Sequence, residues 1–203
     1  MLDEAFHLSY PYVFKWKDEY YMIPEAHQTG SVRLYRAVDF PLKWVFVRTL
    51  IYGSHVDPSV FRYNGMWWMF TGADPVANNV LRLYYAADLM GPWTEHPMSP
   101  VIDGDANIAR PGGRVLVLDG RIIRYTQDDE PVYGNQVRAF EITELTTASY
   151  KERELPESPV LKPGGNRWNR DGMHSIDAHR IADDRWIAAV DGKRDGLVFG
   201  FSH

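Results

Sequence analysis

Two acidic residues stand where apolar strands end or begin. Glu25 closes the run Met22-Ile23-Pro24-Glu25, and Asp57 lies near the start of Val56-Asp57-Pro58-Ser59-Val60-Phe61. Two opposed carboxyl groups are the minimum for cleaving a glycosidic bond: one protonates the leaving oxygen and the other acts as nucleophile or base. Arg110, in Ala109-Arg110-Pro111-Gly112-Gly113, could hold a hydroxyl or lower a neighbouring carboxyl's pKa by its charge. Each has a structural alternative. Asp before Pro often caps a turn, Glu25 could be a solvated strand end, and Arg110 could serve an ordinary ion pair.

A second tier of polar residues sits at related positions. Tyr10, His55, His174 and Asp177 lie at strand starts, in Ser9-Tyr10-Pro11, His55-Val56-Asp57-Pro58 and His174-Ser175-Ile176-Asp177. Glu25, Gly72, Gln127 and Asp191 lie at the ends of the strands that follow, with Asp128 and Asp129 just after Gln127. Burying such groups is costly unless they are partnered, so their recurrence before apolar strands points to a shared polar pocket. His174 and Asp177 could equally form a buried hydrogen-bonded pair. Trp168, in a Gly-rich stretch, is placed for stacking on a sugar. Trp67 and Trp68 read instead as one core and one inter-blade contact.

Other chemistries find no support. The seven His residues show no HExxH pattern, and the spacing of His55, Asp57, His174 and Asp177 demands no metal. No Gly-rich loop opens a helix, so Gly112-Gly113 and Gly164-Gly165 read as turns, and no cofactor is implied.

The elements that must carry these residues repeat. Four hairpins share one form: an apolar strand, a polar turn and an aromatic-rich strand. Their turns fall at Lys17-Asp18-Glu19, Asn64-Gly65, Asp119-Gly120 and Asp183-Asp184. Asn-Gly and Asp-Gly between apolar runs are strong hairpin signals, because a type I′ turn needs positive φ at both positions. Third strands follow at Val32–Arg36, Leu81–Tyr85, Val137–Glu141 and Leu197–Gly200, spaced by 49 to 60 residues. Fourth strands are expected near Trp44–Leu50, Trp93–Glu95 and Tyr150–Leu155. Four-stranded units repeating at about this period are propeller blades. The expected fold is an all-β propeller, with blades over 7–53, 54–105, 106–163 and 170–203. A β-sandwich also uses many short strands, but does not require equivalent hairpins to recur with equivalent third strands.

Composition agrees with a single aromatic-rich domain. The chain has 203 residues, 14% of them aromatic, and a formal charge of −5. There is no Cys, hence no disulfide, thiolate metal site or thiol nucleophile. No apolar run approaches the roughly 20 residues of a membrane helix. The acidic start is unlike a signal peptide, and the acidic balance argues against a nucleic-acid partner. A soluble protein is expected, with its compartment open.

Several stretches also resemble a known family. They are His7–Phe14, Tyr21–Glu25, Leu34–Trp44, Gly91-Pro92-Trp93, Ala109–Arg114, Gln127-Asp128 and Tyr133-Gly134. Together they are similar to the N-terminal domain of plant glucosamine inositolphosphorylceramide transferases and related bacterial proteins. That domain looks like the five-bladed propeller of glycoside hydrolase family 43, whose enzymes place three acids at the channel mouth. The resemblance implies Asp57 and Glu25 as catalytic acids, with Arg110, His174 and Asp177 contacting sugar. The plant proteins' separate glycosyltransferase domain has no counterpart, so sphingolipid glycosylation is not implied.

The family pattern places a further blade before His7, so four blades are recognisable where five are suggested. An open propeller would expose its first and last blades, surfaces that favour a homo-oligomer. Two functions follow. The first is hydrolysis of a glycosidic substrate at the channel mouth by an acid/base pair. The second is a non-catalytic carbohydrate-binding or assembly module.

Overall fold

The computed structural model describes residues 2–165 and 168–194. Strands β1 (Ser9–Trp16), β2 (Glu19–Glu25), β3 (Ser31–Asp39) and β4 (Lys43–Tyr52) form one antiparallel sheet in that order. The second sheet holds β5 (Val56–Tyr63), β6 (Met66–Gly72), β7 (Val80–Ala86) and β8 (Thr94–Glu95), with β9 (Ile102–Asp103) also pairing β7. The third runs β10 (Leu116–Leu118), β11 (Arg121–Asp128), β12 (Gln136–Leu145) and β13 (Tyr150–Glu154). The fourth is the hairpin β14 (Ile176–Ala182) and β15 (Arg185–Val190). These sheets are the blades of a propeller. The expected strand at Leu197–Gly200 lies outside the described residues. Among the described residues, no helix is long and apolar enough to cross a membrane.

The turn residues set these hairpins. Lys17 and Asp18 have φ of 47° and 64°, Asn64 and Gly65 48° and 76°, and Asp119 and Gly120 50° and 78°. Both central residues are left-handed in each, the twist a tight hairpin requires.

Alternation along β6 then sends neighbouring side chains to opposite faces of its blade. Trp67 packs with Tyr12, Ile23, Leu34 and Val60 between the first and second sheets. Trp68 packs with Phe61, Leu83, Ile122 and Tyr150 between the second and third. Both tryptophans are therefore inter-blade contacts, and neither is free to stack on a ligand.

Gly112-Gly113 is not a turn. Pro111 bridges Thr126 of its own blade and Gly113 bridges Ile176 of the fourth, so the segment is extended and joins two blades. A Cβ at Gly113, whose φ is +156°, would fall 1.9 Å from the Ile176 carbonyl oxygen. Gly113→Ala should therefore lower stability by about 2–4 kcal/mol in denaturant titration. Gly120→Ala, with open space around its Cβ, should lose only the left-handed penalty of about 1–2 kcal/mol.

Candidate functional site

The strand starts of neighbouring blades carry the same backbone irregularity. Tyr10 and Asp57 have φ of 45° and 48°, each just before a proline and each where pairing slips between β1 and β2 or β5 and β6. Residues before proline ordinarily stay extended, so both positions are strained. At Asp57 that bulge coincides with a carboxyl only 3% exposed.

Arg110 bridges the blades around it. Its Nε donates to Asp57 Oδ2 at 2.6 Å, Nη2 to Glu25 Oε2 at 3.3 Å and Nη1 to Asn78 Oδ1 at 2.8 Å. Gln127 Nε2 also donates to Asp57 Oδ2, at 2.7 Å, and to the Pro111 carbonyl at 2.7 Å. His27 Nδ1 lies 3.0 Å from Glu25 Oε1. The Tyr133 ring covers the guanidinium at 5.3 Å and meets the His174 ring edge-on at 5.2 Å. His174 in turn pairs with Asp191, which also accepts from the backbone N–H groups of His174 and Ser175. Polar groups from all four blades thus form one cluster.

The two carboxyls differ in charge preference. Burial pushes Asp57 up to about 7 against the pull of Arg110, and its hydrogen bond with Glu25 pushes the same way. Burial also acts to raise Glu25, but its bonds to Asp57 and His27 and the charge of Arg110 outweigh that and hold it low. In weak acid, below about pH 7, the pair therefore holds a carboxylic acid against a carboxylate.

A folded pKa above the unfolded value means the folded state binds the extra proton. Asp57's contribution is then full below about 4 and lost as pH rises through about 7. Glu25 has the opposite sign, its contribution falling away only in acid, below its ordinary 4.5. Stability followed from pH 5 to 8 should therefore contain a descending component that Asp57→Asn removes.

The other predicted residues separate. His55 is buried edge-on against Tyr84 at 5.7 Å, with Nε2 toward the Tyr52 carbonyl, away from the Arg110 cluster. Asp128 bonds Arg138 at 2.8 Å and Gln136 at 2.7 Å within its own blade. Tyr10 bonds Ser59 at 2.9 Å and lines a cavity of about 250 Å³ with Arg114, Asp177 and Asp191. Trp168 is 53% exposed, its ring beside Gly192.

The alternative pairing of His174 with Asp177 does not form. The β14–β15 register sets Ile176 against Val190, bringing Asp191 to His174, while Asp177 bonds Arg114 Nε at 2.6 Å. Sequence reasoning missed His27, Asn78, Tyr133 and Arg114 as site groups, and named Asp129 only as a neighbour of Gln127. Asp191, at a strand end equivalent to Glu25, was the readable signal for the His174 partner. Among the described residues, no group of His, Asp or Glu is arranged to hold a metal ion.

The model for the family described as glucosamine inositolphosphorylceramide transferase 1, N-terminal, matches residues 1–193. The chain belongs to this family. Glucosamine inositolphosphorylceramide transferase 1 of Oryza sativa subsp. japonica is 40% identical over 201 residues, covering 95% of this chain and 27% of the relative. The Arabidopsis thaliana protein of the same name is 36% identical over 199 residues, covering 95% and 26%. The chain thus spans about a quarter of the length of these family members.

Solved structures support the same architecture. The catalytic domain of Coprinopsis cinerea family 62 α-L-arabinofuranosidase superposes with a TM-score of 0.68 at 14% identity, covering 96% of this chain and 70% of that one. A family 43 enzyme of Xanthomonas citri complexed with xylose gives 0.60 at 12% identity, covering 95% and 72%. Identity this low establishes the propeller fold alone.

Proposed function

We propose that this chain is one propeller domain that binds a carbohydrate at the channel mouth, through Arg110, Glu25, Asp57, Gln127, His174 and Tyr133. The observation that carries the reading is the Arg110 guanidinium, fixed by Asp57, Glu25 and Asn78 and covered by Tyr133. An aromatic face beside preorganised polar groups suits sugar rings, which have apolar faces and many hydroxyls. Tyr10 and Asp177, around the neighbouring cavity, extend the surface toward the fourth blade. The glycosidase architecture and a family named for sugar transfer favour the same ligand class.

Binding is favoured over cleavage because both carboxyls are already engaged. Glu25 and Asp57 are tied to one Arg110 guanidinium, and Asp57 also accepts from Gln127 Nε2. Calorimetric titration with xylo-, arabino- and galacto-oligosaccharides should show binding. Tyr133→Ala should weaken it about tenfold, as loss of an aromatic anchor commonly does. Absence of heat with every sugar would sink the reading.

Hydrolysis is the second reading, favoured by the opposite pKa displacements of Asp57 and Glu25. Turnover of aryl glycosides, lost in both Asp57→Asn and Glu25→Gln, would establish it. Here Asp57 would donate the proton and Glu25 act as base.

A further inference from the structure

The outer edges of the blades differ. In the second sheet the outermost strand β8 is only Thr94–Glu95. In the third, β13 is charged, and its Lys151 and Arg153 pair with Glu144 and Glu141. A very short strand or a charged one is the usual guard against pairing with a foreign strand. The first blade has neither. Its outermost strand β4 is ten residues long and, among the described residues, pairs with β3 alone. Val45, Phe46 and Val47 are 40%, 48% and 36% exposed. Lys43 and Arg48 bracket this triplet, and the strand holds no acidic residue. Asp39 faces Lys43 across the turn.

Part of this edge is regular. Pairing with β3 slips near Val47 and Leu50, but Trp44–Phe46 runs against Tyr35–Ala37 without a slip. An edge strand of this kind presents unpaired N–H and C=O groups to whatever lies beside it. The register also puts Trp44 and Phe46 on the same face as Met22, since Tyr35 pairs with both Phe46 and Met22. That face carries an apolar cavity of about 330 Å³, lined by Leu2, Leu8, Met22, Pro24, Pro41 and Trp44. Trp44 is held in place, its Nε1 donating to the Pro41 carbonyl at 2.9 Å.

We infer that β4 is a docking edge for an extended segment of another protein, apolar at its centre and acidic at both ends. In such strand addition the backbone hydrogen bonds give affinity and alternate side chains give selectivity. The acidic ends answer Lys43 and Arg48, and apolar side chains lie along the Trp44 and Phe46 face. Charge disfavours a second copy as the occupant. Pairing β4 with β4 gathers four cations on one seam, two from each chain, with only Asp39 of each chain to offset them. A lipid surface is disfavoured as well, because hydrocarbon offers no partner to open N–H and C=O groups. The inference is independent of carbohydrate binding.

The deciding experiment titrates the full chain with three end-capped hexapeptides. The first is Glu-Val-Phe-Val-Thr-Glu, the second has Lys at both ends, and the third has Pro in place of Phe. Calorimetry should show the acidic peptide binding about tenfold more tightly than the lysine peptide, with a preference that shrinks in high salt. The proline peptide, which lacks a central N–H, should not bind. Hydrogen exchange should slow at β4 amides when the acidic peptide is present, a change that charge attraction alone does not produce. Lys43 and Arg48 are exposed, so Lys43→Glu with Arg48→Glu should leave the fold intact and reverse the preference. No binding of the acidic peptide, equal affinity for the first two, or a preference the double substitution leaves unreversed would overturn the inference. Self-association lost in Phe46→Lys, without peptide binding, would make a second copy the occupant. Adsorption to phosphatidylserine vesicles, again without peptide binding, would make it a lipid surface.

Discussion

Arg110→Met is expected to lower stability by about 3–5 kcal/mol, the usual loss when one partner of a buried ion pair is removed. Asp57 and Glu25 are 4% and 6% exposed at their side chains, and the methionine could not answer either carboxyl. For a domain of this size the midpoint should fall by roughly 2–4 °C per kcal/mol, or about 10 °C in all. The loss should be larger at pH 8 than at pH 5. Without Arg110 the lowering influence on Asp57 disappears, so its proton is retained to higher pH and forced ionisation becomes more costly. Asp57→Asn and Glu25→Gln introduced together should recover much of the stability, since the uncompensated charges are then gone. A double-mutant cycle measures that coupling. Arg110→Lys should recover only part, because a point charge cannot make the three-way fork seen here. An unchanged midpoint in Arg110→Met would show that water reaches both carboxyls.

The blades were legible because their causes are local. Asn64-Gly65 and Asp119-Gly120 adopt the left-handed pair that their chemistry favours, and alternation sends Trp67 and Trp68 to opposite faces. The central site was legible where the repeat aligned strand ends: Glu25, Asp57, Arg110 and Gln127 converge because equivalent strands run beside one axis. Its remaining members sit in loops, where no period constrains them. Asn78 reaches Arg110 from an irregular turn, and Asp129 and Tyr133 belong to the β11–β12 loop. Spacing alone also did not show the partners of His174 and Asp177. Their partners depend on β14–β15 register and on the angle between the third and fourth blades, which bring Asp191 and Arg114 to them. Likewise, Gly112-Gly113 has turn chemistry but serves a close approach of two backbones.

Glu152→Ala, far from the polar cluster in sequence, should have an effect of the same size. Arg124 is 2% exposed, and its guanidinium forks onto Glu152, with Nη2 donating to Oε1 at 2.6 Å. Tyr150 donates to the same carboxylate at 2.6 Å, and Phe140 covers the cation at 4.8 Å. Removing the carboxylate leaves a buried cation with the aromatic faces and one carbonyl, a loss of about 3–5 kcal/mol. That carbonyl is Ile108 O, 3.0 Å from Arg124 Nη1 and two residues before Arg110. A guanidinium that shifts to find a new partner would therefore loosen the segment that aims Arg110 at Glu25 and Asp57. Glu152→Ala should weaken saccharide binding as well as stability. Replacing Arg124 and Glu152 together with methionine should restore stability, because a well-packed apolar pair often equals or exceeds a buried ion pair. The Ile108 carbonyl would still lack its donor, so binding should recover less than stability. Equal recovery of both would show that Arg124 supports the fold without positioning Arg110.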